Sequence, residues 1–107
     1  MDSKTTERLN EFYYGIIAFG RLSYKNFGVV DFAELAASAI NLMEKRGELY
    51  PWDRDDAYRF MVNNFNRDIG GQMDMNVINT IISHMKSITT IDPNMGGILA
   101  AIDMTRK

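Results

Sequence analysis

The sequence predicts an all-α fold, a single compact domain over residues 1–107 with about five short helices in an irregular bundle. Apolar residues recur at the i, i+3, i+4 spacing of a helix face in five segments, and no strand-like alternation competes with them. Aspartates also follow an apolar residue where four such segments begin, as helix-capping carboxylates do: Asp31, Asp53, Asp74 and Asp92. A chain of 107 residues with 46% apolar content can bury a core.

The first helix is predicted over residues 5–24. Its apolar face is formed by Leu9, Phe12, Tyr13, Ile16 and Gly20. Gly15 and Gly20 lie inside this helix, where each glycine costs about 1 kcal/mol relative to alanine. Glycines retained at such positions indicate that another part of the backbone approaches closely.

The second helix is predicted over residues 32–46, with Asp31 as its N-cap. Asp31 and Glu34 have the spacing of a capping box, and Val30 precedes the cap as the outer residue of a hydrophobic staple. Gly47 is a natural residue to follow the last turn. The face opposite the apolar one carries Glu34, Ser38, Asn41 and Lys45.

The third helix is predicted over residues 54–68, after a link in which Pro51 holds the preceding residue in an extended conformation. It ends before the pair Gly70 and Gly71. The fourth helix is predicted over residues 75–88 and has a broad apolar face. Because the second and fourth helices have the cleanest apolar faces, we expect them at the centre of the bundle.

The fifth helix is short and is predicted to begin after Asp92, with Pro93 at its first position. One face is apolar, and the opposite side carries small residues: Gly96, Gly97, Ala100 and Ala101. A helix that is apolar or small nearly all round is usually buried, either within its own chain or against a second copy. These four residues are therefore the predicted self-association surface.

Composition excludes several classes of function. A net charge of −2 provides no global attraction for nucleic acid or anionic membranes. Without cysteine there are no disulfides, thiolate metal sites or cysteine nucleophiles. The first residues are polar and charged, unlike a signal peptide, and no apolar run approaches the roughly 20 residues that span a bilayer. We therefore expect a cytoplasmic protein without membrane contact.

Residues suited to catalysis or metal binding are sparse, so we predict no enzyme, cofactor or metal site. The chain has one histidine, His84, and no acidic residue lies one helical turn from it to orient a general base. The cluster Asp53, Asp55 and Asp56 lacks the later glycine and glutamate of a calcium loop. We interpret these acids as complements to the positive end of the third helix.

The strongest positive signal for function is aromatic. Tryptophan, tyrosine and arginine are the side chains enriched at interface hot spots. Several lie in one link or away from the predicted core faces: Tyr14, Tyr50, Trp52, Arg54 and Phe60. They predict a non-enzymatic protein–protein interaction module, such as an adaptor, an assembly factor or an inhibitor of a larger complex. Phage and mobile-element accessory proteins often have this size and composition.

The alternative hypothesis is a helix-turn-helix-like regulator that binds nucleic acid through the third helix. Arginine and asparagine can bind guanine and adenine edges, and four such residues lie on one flank of this helix: Arg59, Asn63, Asn66 and Arg67. Against it, Asp55 and Asp56 lie at the helix start, where contacts to DNA usually concentrate. The link before this helix is also too long for a tight turn.

Overall fold

Five α-helices and one 3-10 turn make up the fold of the computed structural model, which describes residues 1–105. The helices are α1 (Ser3–Ser23), α2 (Val29–Lys45), α3 (Arg54–Asp68), α4 (Met75–Lys86) and α5 (Met95–Thr105), and the 3-10 turn (Pro51–Asp53) directly precedes α3. The chain is 75% helical, and no strand occurs among the described residues. The predicted all-α class is confirmed.

Helix α2 lies at the centre and packs against α1, α3, α4 and α5. Four alanines of α2 are fully buried, so neighbouring helices approach its backbone closely: Ala33, Ala36, Ala37 and Ala39. The prediction that the fourth helix also lies at the centre was wrong. Helix α4 packs mainly against α2 and α3. Its buried residues are confined to one narrow stripe, Ile78, Ile82 and Met85; Ile81 is half-buried, and the other residues of the helix are exposed.

Two of the predicted aspartate caps have different outcomes. The carboxylate of Asp74 accepts a hydrogen bond from the backbone N–H of Val77 at 2.9 Å, so this cap is confirmed. The prediction that Asp31 is the N-cap was wrong. Helix α2 begins at Val29, three residues before the predicted start, and its N-cap is Gly28. Asp31 is the third residue of the helix, and its carboxylate accepts from the N–H of Gly28 at 3.1 Å. Val30 is exposed, so the predicted staple does not form.

The other two aspartates lie at turns. Asp92 accepts from the N–H of Asn94 at 2.8 Å in a turn that precedes α5, so the helix begins at Met95 and not at the proline. Asp53 occupies the N-cap position of α3 but makes no capping hydrogen bond there. Its carboxylate lies 3.6 Å from the N-terminal ammonium group.

Helix α1 begins at an N-cap, Asp2, that the sequence pattern did not predict. The carboxylate of Asp2 accepts from the backbone N–H of Thr5 at 2.7 Å, so the helix starts at Ser3. This hydrogen bond favours the charged carboxylate and lowers the pKa of Asp2 below its usual value. The preceding residue is only the initial methionine, so the apolar-then-aspartate pattern was not apparent as a helix start.

Glycines account for the ends of two helices and for one close helix contact. Gly47 after α2 and Gly70 after α3 have φ of +72° and +98°, the left-handed conformation that ends a helix. Within α1, a Cβ at Gly15 would lie 2.8 Å from Cγ1 of Ile102 on α5. The close approach predicted at Gly15 is therefore present, although its partner is a side chain and not a backbone.

Candidate functional site

The link between α2 and α3 presents two aromatic side chains to solvent. Leu49 is buried and anchors the link, whereas Tyr50 and Trp52 are 54% and 75% exposed. Pro51 fixes the geometry, since Tyr50 before it is extended and the 3-10 turn begins at the proline. The two rings are stacked with centroids 4.7 Å apart and planes within 8° of parallel. We call Tyr50 and Trp52 the aromatic platform.

A groove of about 430 Å³ lies beside the platform, where the 3-10 turn, the first turn of α3 and the end of α4 meet. We call it the Trp52 groove; it is lined by Pro51, Trp52, Arg54, Asp55, Tyr58 and Lys86. At its rim, Nζ of Lys86 lies 3.1 Å from Oδ1 of Asp55. Both side chains are largely exposed, at 51% and 69%. The rim thus carries one exposed charge of each sign.

Arg54 forms part of the groove wall, but its guanidinium group is directed into the protein. It donates to Oε1 of Glu44 at 3.0 Å, to Oδ1 of Asn41 at 2.6 Å and to the hydroxyl of Tyr58 at 2.5 Å. Its charge is balanced by Glu44, and its donors hold α2 and α3 together. The residue predicted as a partner contact therefore has a structural role as well.

Asn41 extends this network to the connection between α4 and α5. Its amide nitrogen donates to the carbonyl of Ile88 at 3.0 Å and to that of Thr90 at 2.9 Å. The hydroxyl of Ser38 donates to Thr90 at 3.4 Å. Ser38 and Asn41 lie on the predicted polar face of α2, and they donate to carbonyls that follow the end of α4 and have no partner within that helix.

The remaining residues of the predicted partner surface lie apart from the groove. Phe60 is half-buried and packs against the core, and it does not line the Trp52 groove. Tyr14 is exposed on α1 and contacts Tyr13 edge to face, with ring centroids 5.4 Å apart. Tyr50, Trp52 and Arg54 are thus the part of the predicted set that the structure brings together.

A second cleft of about 550 Å³ lies between the start of α1 and the loop after α2, and Tyr50 is one of its lining residues. Lys4, Arg8 and Arg46 are its cationic side chains, and Arg8 is the one in contact with two carboxylates. This side chain donates to Oε1 of Glu11 at 3.2 Å, lies 3.3 Å from Oε2 of Glu48 and covers the ring of Phe12 at 4.8 Å. Since charges of both signs are paired here, the cleft has no dominant sign of charge.

The predicted self-association residues are divided between two sides of α5: Gly96 has open space beside it, whereas a Cβ at Gly97 would lie 3.1 Å from the ring of Phe19 on α1. Gly96, Gly97 and Ala100 are exposed, and Ala101 is half-buried. The opposite side of the helix is buried, with Ile98 and Ile102 beside Gly15 of α1. Gly96 and Ala100 are therefore the part of the predicted set that is available to solvent in the single chain.

The four residues of the nucleic-acid hypothesis do not form one free surface. Asn63 is exposed, and Arg59 is exposed but donates to Oδ1 of Asn79 at 3.2 Å. Both amide atoms of Asn66 bind the backbone of Met73, accepting from its N–H at 2.9 Å and donating to its carbonyl at 3.4 Å. Arg67 lies 3.5 Å from a carboxylate oxygen of Asp68.

His84 has an acidic neighbour from another helix, which the sequence did not reveal. Its Nε2 lies 3.9 Å from Oε1 of Glu34 on α2, and both side chains are about half exposed.

Within residues 1–105, no group of three or more histidine, aspartate or glutamate residues is arranged to hold a metal ion. Over the same residues, no helix combines the length and the apolar character needed to cross a membrane.

Comparison with protein-family models, with curated proteins and with solved structures finds no match to this chain.

Proposed function

We propose that the protein is a non-enzymatic interaction module that binds a protein partner through the aromatic platform. The observation that carries the proposal is the exposure of Trp52, which at 75% leaves a large apolar ring in water. Large aromatic side chains normally bury most of their surface, and tryptophan and tyrosine are enriched at interface hot spots. A platform of two such rings beside a groove has the composition of a binding surface.

The platform is also preorganised. Tyr50 and Trp52 are stacked on each other, and Pro51 restricts the backbone between them. Binding would therefore immobilise few additional rotamers. Covering the exposed parts of both rings would remove on the order of 200–300 Å² from water, with a gross gain on the order of 5 kcal/mol before the cost of association. Such a surface suits a reversible complex.

The biological roles that match this proposal are those of an adaptor, an assembly factor or an inhibitor of a larger complex. A cysteine-free composition fits a reducing compartment, and we propose a cytoplasmic location on that basis. We further propose that the protein belongs to the accessory proteins of phages or mobile elements, many of which are small, helical and free of cysteine.

Because Trp52 is the only tryptophan, labelling with 5-fluorotryptophan places a single ¹⁹F resonance on the platform. We expect this resonance to broaden and shift in a clarified extract of the cells that make the protein. Excess unlabelled wild-type chain should restore the free signal by competing for the partner. Unlabelled Trp52→Ala should compete at least tenfold less well, since it lacks the larger ring.

Tyr14→Ala is the matched control, because it removes an exposed aromatic from α1 and should compete as well as the wild type. If Trp52→Ala competes equally well, the platform is not the binding surface. If the spectral change disappears when the extract is treated with nuclease, the ligand is nucleic acid and the regulator hypothesis replaces this proposal.

A further inference from the structure

We infer that the aromatic platform binds a proline-rich segment of the partner in the polyproline II conformation. This inference rests on the proposed function, since it names the class of ligand that the same platform takes. Polyproline II is an extended left-handed helix without internal hydrogen bonds, so its carbonyl groups are free to accept. Segments in this conformation are bound by exposed aromatic side chains that line a groove.

The polar groups of the platform are hydrogen-bond donors without an acceptor. Within residues 1–105, no hydrogen bond is made by the indole N–H of Trp52 or by the hydroxyl of Tyr50. The indole N–H can only donate, and the hydroxyl has one proton to donate. A complementary ligand must therefore supply acceptors beside an apolar surface. Proline does so, because it has a carbonyl group and an apolar ring but no backbone N–H.

The Trp52 groove suits such a segment in size and in lining. Its volume is about 430 Å³, whereas a cavity of about 150 Å³ already holds a benzene molecule, which is larger than a proline ring. The lining combines the ring of Trp52 with the polar ends of Asp55 and Lys86. An open and polar groove fits a ligand whose backbone remains partly solvated when it is bound.

The charges around the groove favour an uncharged segment. Asp55 and Lys86 lie 3.1 Å apart and pair with each other. The charge of Arg54 is balanced by Glu44 at 3.0 Å. A strongly charged ligand would have to compete with one of these pairs, because it would bring a like charge close to one member. A proline-rich segment brings no charge and leaves both pairs in place.

The exposed area of the platform fits a short segment better than a second folded surface. Tyr50 and Trp52 are 54% and 75% exposed, so their rings offer about 200–300 Å². A standard stable interface buries about 800 Å² per partner. A segment that is already in its bound conformation loses little entropy on binding, so a small contact suffices. We expect a dissociation constant between about 10 µM and about 1 mM.

The first test is a titration of the 5-fluorotryptophan protein with a peptide of about ten prolines. The ¹⁹F resonance of Trp52 should shift and saturate over that concentration range. A glycine–serine peptide of the same length is the matched control ligand, because it is uncharged but flexible. It should bind at least tenfold less tightly. Oligothymidylate of the same length should also bind at least tenfold less tightly than the proline peptide.

Two conservative substitutions test the hydrogen bonds. Trp52→Phe and Tyr50→Phe each keep an aromatic ring and remove the donor, so each should weaken binding by about fivefold. Fluorescence anisotropy of a labelled proline peptide measures the affinity of the variants. Tyr14→Phe is the matched control, because it removes the hydroxyl of an exposed tyrosine on α1, and it should bind as the wild type does. Circular dichroism of each variant verifies that it is folded.

A ¹⁹F resonance that does not respond to the proline peptide up to about 1 mM overturns the inference, and so does equal affinity for the glycine–serine peptide. Wild-type affinity in both Trp52→Phe and Tyr50→Phe overturns it as well. If oligothymidylate binds more tightly than the proline peptide, the platform is assigned to single-stranded nucleic acid and the inference is again overturned.

The proposed function is judged separately by the ¹⁹F competition in the cell extract. Competition that depends on Trp52, without any response to the proline peptide, rejects the polyproline II ligand and leaves the interaction module intact. Failure of both experiments rejects the proposed function together with this inference.

Discussion

Asn41 joins three parts of the fold through one side-chain amide. Its oxygen accepts from Arg54, and its nitrogen donates to two carbonyls after α4. Sequence patterning placed it on a polar helix face, which is correct, but patterning cannot identify hydrogen-bond partners 47 and 49 residues away. For a similar reason the sequence did not predict whether Trp52 is buried or exposed, because this depends on how the link after α2 lies over the folded bundle.

We expect Asn41→Ala to destabilise the protein by about 2 kcal/mol. The change leaves one arginine N–H and the carbonyl of Ile88 without a partner and leaves the carbonyl of Thr90 with only the hydroxyl of Ser38, and such loss costs about 1–3 kcal/mol. Urea unfolding followed by circular dichroism measures the difference. Asn63→Ala, at an exposed position of α3, should change the stability by less than about 0.5 kcal/mol. Equal effects of the two substitutions would contradict the assigned network.

Tyr13 makes the stability of the folded protein depend on pH in the alkaline range. It is buried, its hydroxyl donates to Oδ2 of Asp68 at 2.5 Å, and burial together with this carboxylate raises its pKa well above the usual value of 10.0. Above pH 10 the unfolded chain releases a proton that the folded chain retains, so the free energy of unfolding falls as the pH rises. Below pH 10 this contribution is fully present.

We therefore expect wild type to lose more stability than Tyr13→Phe between pH 9 and about pH 11. Urea midpoints of both proteins at the two values measure the difference, and the other tyrosines contribute equally to both. Parallel losses in the two proteins would show that Tyr13 does not carry the effect.

At the scale of the elements, the sequence predicted α3 with the bounds that the structure has, because an aspartate and a glycine pair mark its ends. The start of α2 was placed three residues late, since an acidic residue at the third position of a helix has the same local pattern as an N-cap. The sequence did not predict the contact between α1 and α5, because a glycine within α1 indicates that another segment lies close but does not identify that segment.

Two glycines give opposite predictions for the same substitution. Gly15→Ala should destabilise by about 1–3 kcal/mol, because its Cβ would lie 2.8 Å from Ile102. Gly96→Ala meets no atom within 4 Å and should stabilise α5 by up to about 1 kcal/mol. Thermal unfolding measures both effects, since each kcal/mol shifts the Tm by about 4–8 °C in a domain of this size. A stabilising Gly15→Ala would show that α1 and α5 lie farther apart than described.

At the scale of the whole molecule, the last helix packs on the first, so the fold is completed only when α5 has docked. Ile98 and Ile102 of α5 are buried, and without them Gly15 and the neighbouring face of α1 would meet water. The all-α class followed from periodicity alone. The arrangement of five short helices did not, because periodicity states which face is buried and not against which helix.

A chain that ends at residue 94 should therefore lose cooperative unfolding. We expect a broad thermal transition by circular dichroism and strong binding of an apolar dye, because the apolar face of α1 is uncovered. The full-length Gly96→Ala protein is the control and should keep a sharp transition. A sharp transition in the shortened chain would mean that the first four helices form an independent unit.

The buried alanines of α2 limit how this sequence can diverge. At these four positions any larger side chain must displace a neighbouring helix, so only alanine, glycine or serine fits without rearrangement. The aromatic platform has no such restriction, since its rings lie at the surface. Distant relatives with this fold are therefore expected to keep small residues at i, i+3, i+4 and i+6 of the second helix, whereas their binding surfaces change with their partners.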